Sequence, residues 1–490
     1  MVEVVVPTTY GAVRGRTDGG IASFRGIPYA APPVGPRRMR PPEAPEPWTG
    51  VRDALAFGPT APNPSFSPPL DALLADLQVP GDDCLNLNVW SPDLGTAGLP
   101  VMVWIHGGAF RNGSSGAPWY TGDRFARDGV VLVSLNYRLG CEGFLVLDDG
   151  GANRGLLDQV AALDWVQANI ASFGGDPDNV TVFGVSAGGM SVAALLSMPS
   201  TGGLFRRAVA QSGAGHQVQS LATARSVTAE LARRLGVDPT LDGFGGIGPE
   251  RLVAAQQELS DDIDAEPDPD RWGEIGRDKL AFGPVLDGRV LAARPVDRVA
   301  AGAGADVDLL LGTNFDELRL YLVPNGVIDL VDERALVAGA AGLGLGADGL
   351  APYRDGAGTP GEVFAKAYGD WYFRIPAIRL AEAHRGRSYL YELLWGSPMY
   401  DGRLGACHAL DVAFVFDSLG VEGGGPMWGA EPPQELATAM HGAWVAFART
   451  GRPGWDPYRP IDRLTMEFGD PSSVVADPRS AQRAVWDGIR

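Results

Sequence analysis

The sequence predicts an α/β architecture: a mostly parallel central β-sheet with helices on both faces, and helical or loop insertions around it. Three observations carry this expectation. Val101-Met-Val-Trp-Ile105 and Gly129-Val-Val-Leu-Val-Ser-Leu-Asn136 are unbroken apolar runs, as strands buried on both faces require. Leu156, Val160, Leu163, Val166 and Ile170 recur at helical spacing and make 154–171 an amphipathic helix. Finally, Asn179-Val-Thr-Val-Phe-Gly-Val-Ser-Ala-Gly-Gly-Met190 reads as a β-branched strand, a Gly-x-Ser-x-Gly turn and the start of an apolar helical run to Met198.

Taken in order, Tyr10–Gly15 and Ile21–Ile27 fit a hairpin with a glycine-containing turn. Residues 28–69 are dense in proline and predict irregular surface chain. From Asn63 to Pro80 the expectation is a loop with a helical turn near Leu70–Leu77, placed to act as a lid or as plain surface. Leu85–Trp90 alternates as a strand does, and Ala208–Ser212, Val307–Gly312 and Ser388–Leu394 supply further strands. The acidic stretch Ser260–Asp270 predicts a solvated loop, and Leu436, Met440, Ala443 and Phe447 mark a late helix. No clean linker interrupts the pattern. One catalytic domain over 1–490, with insertions at about 60–80 and 215–300, is the expected organisation.

Composition narrows the function. With 45% hydrophobic and 20% charged residues the chain is that of a globular protein, and no apolar run is long enough to cross a bilayer. A net charge of −19 opposes nucleic-acid binding, and no basic run offsets it. Three scattered cysteines, Cys84, Cys141 and Cys407, make neither a disulfide framework nor a zinc site. The start Met-Val-Glu-Val-Val-Val6 has no basic n-region, so a cytoplasmic setting is expected.

A serine hydroxyl needs a base to become nucleophilic, and the base needs an acid to orient it. Ser186, on the tight turn, is the candidate nucleophile, although a glycine-rich turn capped by serine fits the bare motif equally. Of the five histidines, His106 belongs to a glycine loop. His384 sits among charged residues that suggest a solvated helix face, and His441 lies inside the late helix. His408 and His216, each near a strand end, remain as bases. Asp316 and Glu317 follow a strand side by side and both qualify as the acid. His106-Gly-Gly-Ala-Phe110 follows a buried strand and would offer backbone amides to an oxyanion. The three pieces then run in the order serine, acid, histidine.

Several longer motifs accompany them: Phe24–Ala30, Asp83–Val89, Trp104–Phe110, Asn136–Arg138, Gly155–Gln159, Phe173–Pro177, Gln211–Gly213, Gly312–Asn314 and Ala406–His408. With these the chain resembles the type-B carboxylesterases, relatives of the cholinesterases within the α/β-hydrolases, and in particular bacterial enzymes of the para-nitrobenzyl-esterase type. The likeness runs nearly end to end. It implies an α/β-hydrolase fold with insertions forming a gorge, and hydrolysis of a small ester with no cofactor and no metal. Monomer and homodimer are both compatible with it. By this resemblance Ser186 is the nucleophile, Glu317 rather than Asp316 the acid, and His408 rather than His216 the base. The amides of Gly108, Ala109 and Ala187 match the oxyanion donors, with Gly107 shaping the turn. Ser212 matches a buried serine that helps to hold the acid; the alternative is a strand-end serine bonded to backbone. Phe110, Trp119, Phe282 and Phe315 are the expected pocket aromatics.

The chain also departs from that family. Val185 stands where a glutamate often precedes the nucleophile. The usual disulfide partner of Cys84 falls near Ala61, so Cys84 is expected as a free, buried thiol. Between Thr60 and Pro80 Phe66 is the one aromatic residue, which argues against a tryptophan-faced site for choline.

Overall fold

The apolar runs do form the middle of a sheet in the computed structural model, which describes residues 2–96, 98–356 and 358–490. In chain order the strands are β1 (Val2–Thr8), β2 (Gly11–Asp18), β3 (Ile21–Pro28), β4 (Val51–Asp53), β5 (Asn86–Ser91), β6 (Leu99–Ile105), β7 (Val131–Leu135), β8 (Gly175–Val185) and β9 (Arg207–Gln211). Then come β10 (Gln219–Ser220), β11 (Val285–Leu286), β12 (Asp308–Asn314), β13 (Ser388–Leu393), β14 (Leu464–Phe468) and β15 (Ser473–Ala476). Thirteen of them make one sheet in the order β1-β2-β3-β5-β7-β6-β8-β9-β12-β13-β14-β15, with β4 on β2; β10 and β11 pair separately. From β7 through β14 every neighbour is parallel, while β1, β2, β3, β5 and β15 run antiparallel at the two edges. The predicted hairpin is β2 with β3, and the sequence reading missed β1 beside it.

Parallel strands need crossovers, and helices supply them on both faces. Arg154–Asn169 buries Leu156, Leu163 and Val166 and feeds β8. Ala187–Ser197, buried along its whole length, leaves β8 and packs on β8 and β9. Gln434–Thr450 buries Leu436, Met440, Trp444 and Phe447. Among the described residues no single helix is long and apolar enough to cross a membrane.

Two expectations change here. The acidic stretch Ser260–Asp270 is not a loop throughout, because the helix Pro249–Ala265 runs into it. Leu252, Ala255, Leu259 and Ile263 give that helix an apolar face, and the acids sit on its outer side. His384 is not solvated either. It caps the helix Ile375–Ala383 and is buried, with Nδ1 2.9 Å from Ser388 Oγ and Nε2 2.9 Å from the Gly304 carbonyl. Cys84 is a free thiol buried against the core, as expected, and Ala61 is buried too.

Candidate active site

Ser186 stands at the junction of β8 and the helix that begins at Ala187, with φ 57° and ψ −121°. Such a backbone costs on the order of 1–3 kcal/mol for a non-glycine residue and persists only where its surroundings impose it. The two flanking glycines show what imposes it. A Cβ on Gly184 would lie 2.6 Å from the Ile105 carbonyl oxygen, and one on Gly188 only 2.0 Å from the same atom. The turn is therefore pressed against the end of β6, which leaves the serine side chain directed outward, partly exposed.

The end of β6 carries the glycine loop. Gly108 has φ 110°, and a Cβ there would meet the Asn112 carbonyl at 2.1 Å. The amides of Gly108, Ala109 and Ala187 donate to no protein group among the described residues. Gly107 packs so closely that a Cβ on it would sit 3.2 Å from Ser186 Cβ. His106 holds this loop from behind. It is 1% exposed and stacks on Tyr137 with ring centroids 4.6 Å apart; its Nδ1 lies 2.7 Å from the Gly107 carbonyl. Burial lowers its pKa to about 4 from the ordinary 6.5.

That shift has a consequence for acid stability. Between pH 6.5 and 4 the unfolded chain binds a proton on His106 that the folded chain refuses. Stability is therefore lost as pH falls through this window, by roughly 3 kcal/mol for this one ring. His106→Asn keeps an amide donor for the Gly107 carbonyl but cannot titrate. Its urea midpoint should fall less than that of wild type between pH 6.5 and pH 4; equal falls would refute the assignment.

The imidazole of His408 reaches Glu317 from the loop after β13. Its Nδ1–H donates to Glu317 Oε2 at 2.6 Å, and both residues are 3% exposed. Glu317 Oε1 accepts two further hydrogen bonds, from Ser212 Oγ at 2.6 Å and from the Asn314 amide at 2.8 Å. A carboxylate so held has one oxygen committed to the protein and the other to the histidine. His408 Nε2 is buried and makes no hydrogen bond among the described residues, Ser186 Oγ included. Nucleophile–base contacts of this kind are often loose without substrate. Ser186, His408, Gly108 and Ala109 line one cleft, together with Phe66, Leu74 and Trp119.

Asp316, the rival acid, points elsewhere: it pairs with Arg319 at 3.1 Å and accepts from the Ala406 amide. His216 does not join the cleft, and burial lowers its pKa to about 3. Of the four pocket aromatics only Trp119 lines the cleft, its indole N–H bonded to the Gly424 carbonyl. Phe110 turns away through a φ of 58° and packs its ring on Phe144 at 4.9 Å. Phe282 is buried outside the cleft, and Phe315 lies under the Arg479 guanidinium at 4.6 Å. Val185 does line the cleft and brings no charge to it.

Some participants escaped the sequence reading. Asn314 donates its amide N–H to Glu317 and its side-chain N–H to the Cys407 carbonyl at 2.8 Å, tying acid loop to histidine loop. Behind them lies Asp411, fully buried, which accepts from Gln211 at 2.8 Å and Tyr391 at 2.7 Å; burial raises its pKa. The rings of Phe373 and Tyr321 flank the imidazole at 4.7 and 5.6 Å. Asn314 lay inside a quoted motif, so its position was visible although its bonds were not.

The arrangement can generate an alkoxide-like serine beside free backbone amides, which is acyl-transfer chemistry. Comparison with known proteins points the same way. A profile of the carboxylesterase family matches residues 2–330. Para-nitrobenzyl esterase of Bacillus subtilis (strain 168) is 38% identical over 500 aligned residues, spanning 99% of this chain and 98% of the relative. Phenmedipham hydrolase of Pseudarthrobacter oxydans is 35% identical, spanning 96% of each. Among solved structures, a Geobacillus stearothermophilus carboxylesterase superposes with a TM-score of 0.86 at 36% identity, covering 98% of this chain and 99% of that one.

Proposed function

The chain belongs to the carboxylesterase family, has the α/β-hydrolase fold and hydrolyses carboxylic esters as a serine hydrolase; from that premise we propose Ser186, His408 and Glu317 as its catalytic triad. In this reading Ser186 Oγ attacks the ester carbonyl carbon as His408 Nε2 takes its proton. Glu317 fixes the imidazole tautomer through Nδ1 and steadies the imidazolium that forms. The amides of Gly108, Ala109 and Ala187 receive the oxyanion; each such donor typically supplies about 3 kcal/mol of barrier lowering. The imidazolium then protonates the departing alcohol, and water, deprotonated by the same nitrogen, releases the acid from Ser186.

One observation supports this most: a buried imidazole held by a carboxylate at 2.6 Å, with its other nitrogen unpartnered among the described residues and in the cleft that Ser186 lines. Ser212 and Asn314 act through Glu317, by bonding its carboxylate. Gly107 acts through its lack of a side chain. We also place the enzyme in a reducing compartment such as the cytoplasm, because Cys84, Cys141 and Cys407 are buried and unbridged.

A fluorophosphonate probe tests the triad. It should label the protein once, at Ser186, and label neither Ser186→Ala nor acid-unfolded protein. A peptide map carrying the label on another residue would overturn the assignment.

A further inference from the structure

The cleft beside Ser186 is walled by apolar side chains, among them Phe66, Leu70, Leu74, Trp119 and Leu320, and no aspartate, glutamate or lysine lines it among the described residues. One fixed charge does line it, Arg111, two residues past the glycine loop. Arg111 is half-buried, enters no salt bridge and makes no side-chain hydrogen bond among the described residues. Its positive field reaches the hydroxyl of Tyr321, which also lines the cleft, and the Asp264 carboxylate. Asp264, however, has its own partner, Lys279 Nζ at 3.8 Å.

An unpaired guanidinium has its planar fork free, and that fork matches a carboxylate with two parallel N–H···O bonds. The rest of the molecule works against anions, with a net charge of −19. A local cation is then what an anionic substrate would need in the cleft. Val185, at the position before the nucleophile, lines the same cleft and brings no competing negative charge to it.

We propose that Arg111 is a specificity-determining residue and that the preferred esters carry a carboxylate, which its guanidinium binds while the ester carbonyl meets Ser186. This rests on Ser186 being the nucleophile. Matched substrate pairs separate a carboxylate in the acyl portion from one in the alcohol portion. Mono-4-nitrophenyl glutarate against 4-nitrophenyl pentanoate, with spontaneous hydrolysis subtracted, reads an acyl-side anion. 4-Acetoxybenzoate against its methyl ester reads an alcohol-side one.

For at least one pair the anionic-to-neutral ratio of kcat/KM should fall about tenfold in Arg111→Gln, the scale of one charge-assisted hydrogen bond. Arg111→Lys should keep part of the ratio, having the charge without the fork, and raised ionic strength should depress the wild-type ratio. A disturbance of folding alone would lower both members of a pair together and leave the ratio intact. Ratios unchanged between wild type and Arg111→Gln in both pairs would overturn the proposal. Calorimetric binding of the product anions glutarate and 4-hydroxybenzoate to wild type and to Arg111→Gln needs no turnover. It therefore reports on Arg111 even if the nucleophile lies elsewhere, whereas failure of wild type to hydrolyse the neutral esters would count against the triad.

Discussion

Ser186→Ala is expected to lower kcat for a 4-nitrophenyl ester by about 10⁶-fold, the loss seen when a triad serine is removed alone. The fold should survive. The unusual backbone at 186 is imposed by Gly184 and Gly188 crossing the end of β6, and alanine meets the same clash-free path. The hydroxyl makes no hydrogen bond within the protein among the described residues, so its loss orphans nothing. The thermal midpoint should accordingly match wild type. Residual activity, supplied by the oxyanion amides and by binding, should still exceed the uncatalysed rate by about 10³-fold or more. Turnover near the wild-type rate in a folded Ser186→Ala protein would remove Ser186 from the mechanism.

Glu317→Gln should cost about 10⁴-fold in kcat, with little change in stability. The reasoning turns on which end of the new amide faces the histidine. Oε1 receives two donors, Ser212 Oγ–H and the Asn314 N–H, so a glutamine must keep its oxygen there. Its NH₂ group is then presented to His408 Nδ1, which must become an acceptor. The ring proton moves to Nε2, and the nitrogen that should take the Ser186 proton already holds one. Asp316→Asn, by contrast, disturbs a carboxylate engaged with Arg319 and should leave kcat within a few-fold of wild type. Steady-state kinetics on the two variants decides the matter. A loss under tenfold for Glu317→Gln, or a larger loss for Asp316→Asn, would reassign the acid.

What could be seen in the amino-acid sequence was whatever local chemistry determines. The strand, turn and helix around Ser186 followed from β-branched residues, two glycines and an apolar run, because each acts over a few neighbouring positions. The same holds for the glycine loop and for the late helix. What could not be seen depends on direction and distant partners. Asp316 and Glu317 differ by one position, yet one meets Arg319 and the other meets Ser212, Asn314 and His408. Without the family resemblance nothing local separates them. Phe110 was expected in the pocket because it adjoins the glycine loop, but a left-handed turn at that residue sends its ring to Phe144. Ser260–Asp270 was misjudged for a different reason. Its acids were counted before the spacing of Leu252, Leu259 and Ile263, which was in the sequence throughout. His384 likewise took its expected environment from charged neighbours, while its real partners, Ser388 and Gly304, come from β13 and from a turn far away in sequence.

Five adjacent strands each lead into one part of the proposed site: β6 the glycine loop, β8 Ser186, β9 Ser212, β12 Glu317 and β13 His408. Ser212 and Gly312 are joined by a hydrogen bond of 2.8 Å although the whole 215–300 excursion intervenes between them. Assembly of the reactive atoms thus depends on ladder registry and hardly at all on how long the chain wanders between rungs. Recombination that exchanges that excursion would spare the cleft, which no residue of 215–300 lines among the described residues. Slippage of a single rung would do the opposite, carrying the loop that follows the strand about 3.3 Å along.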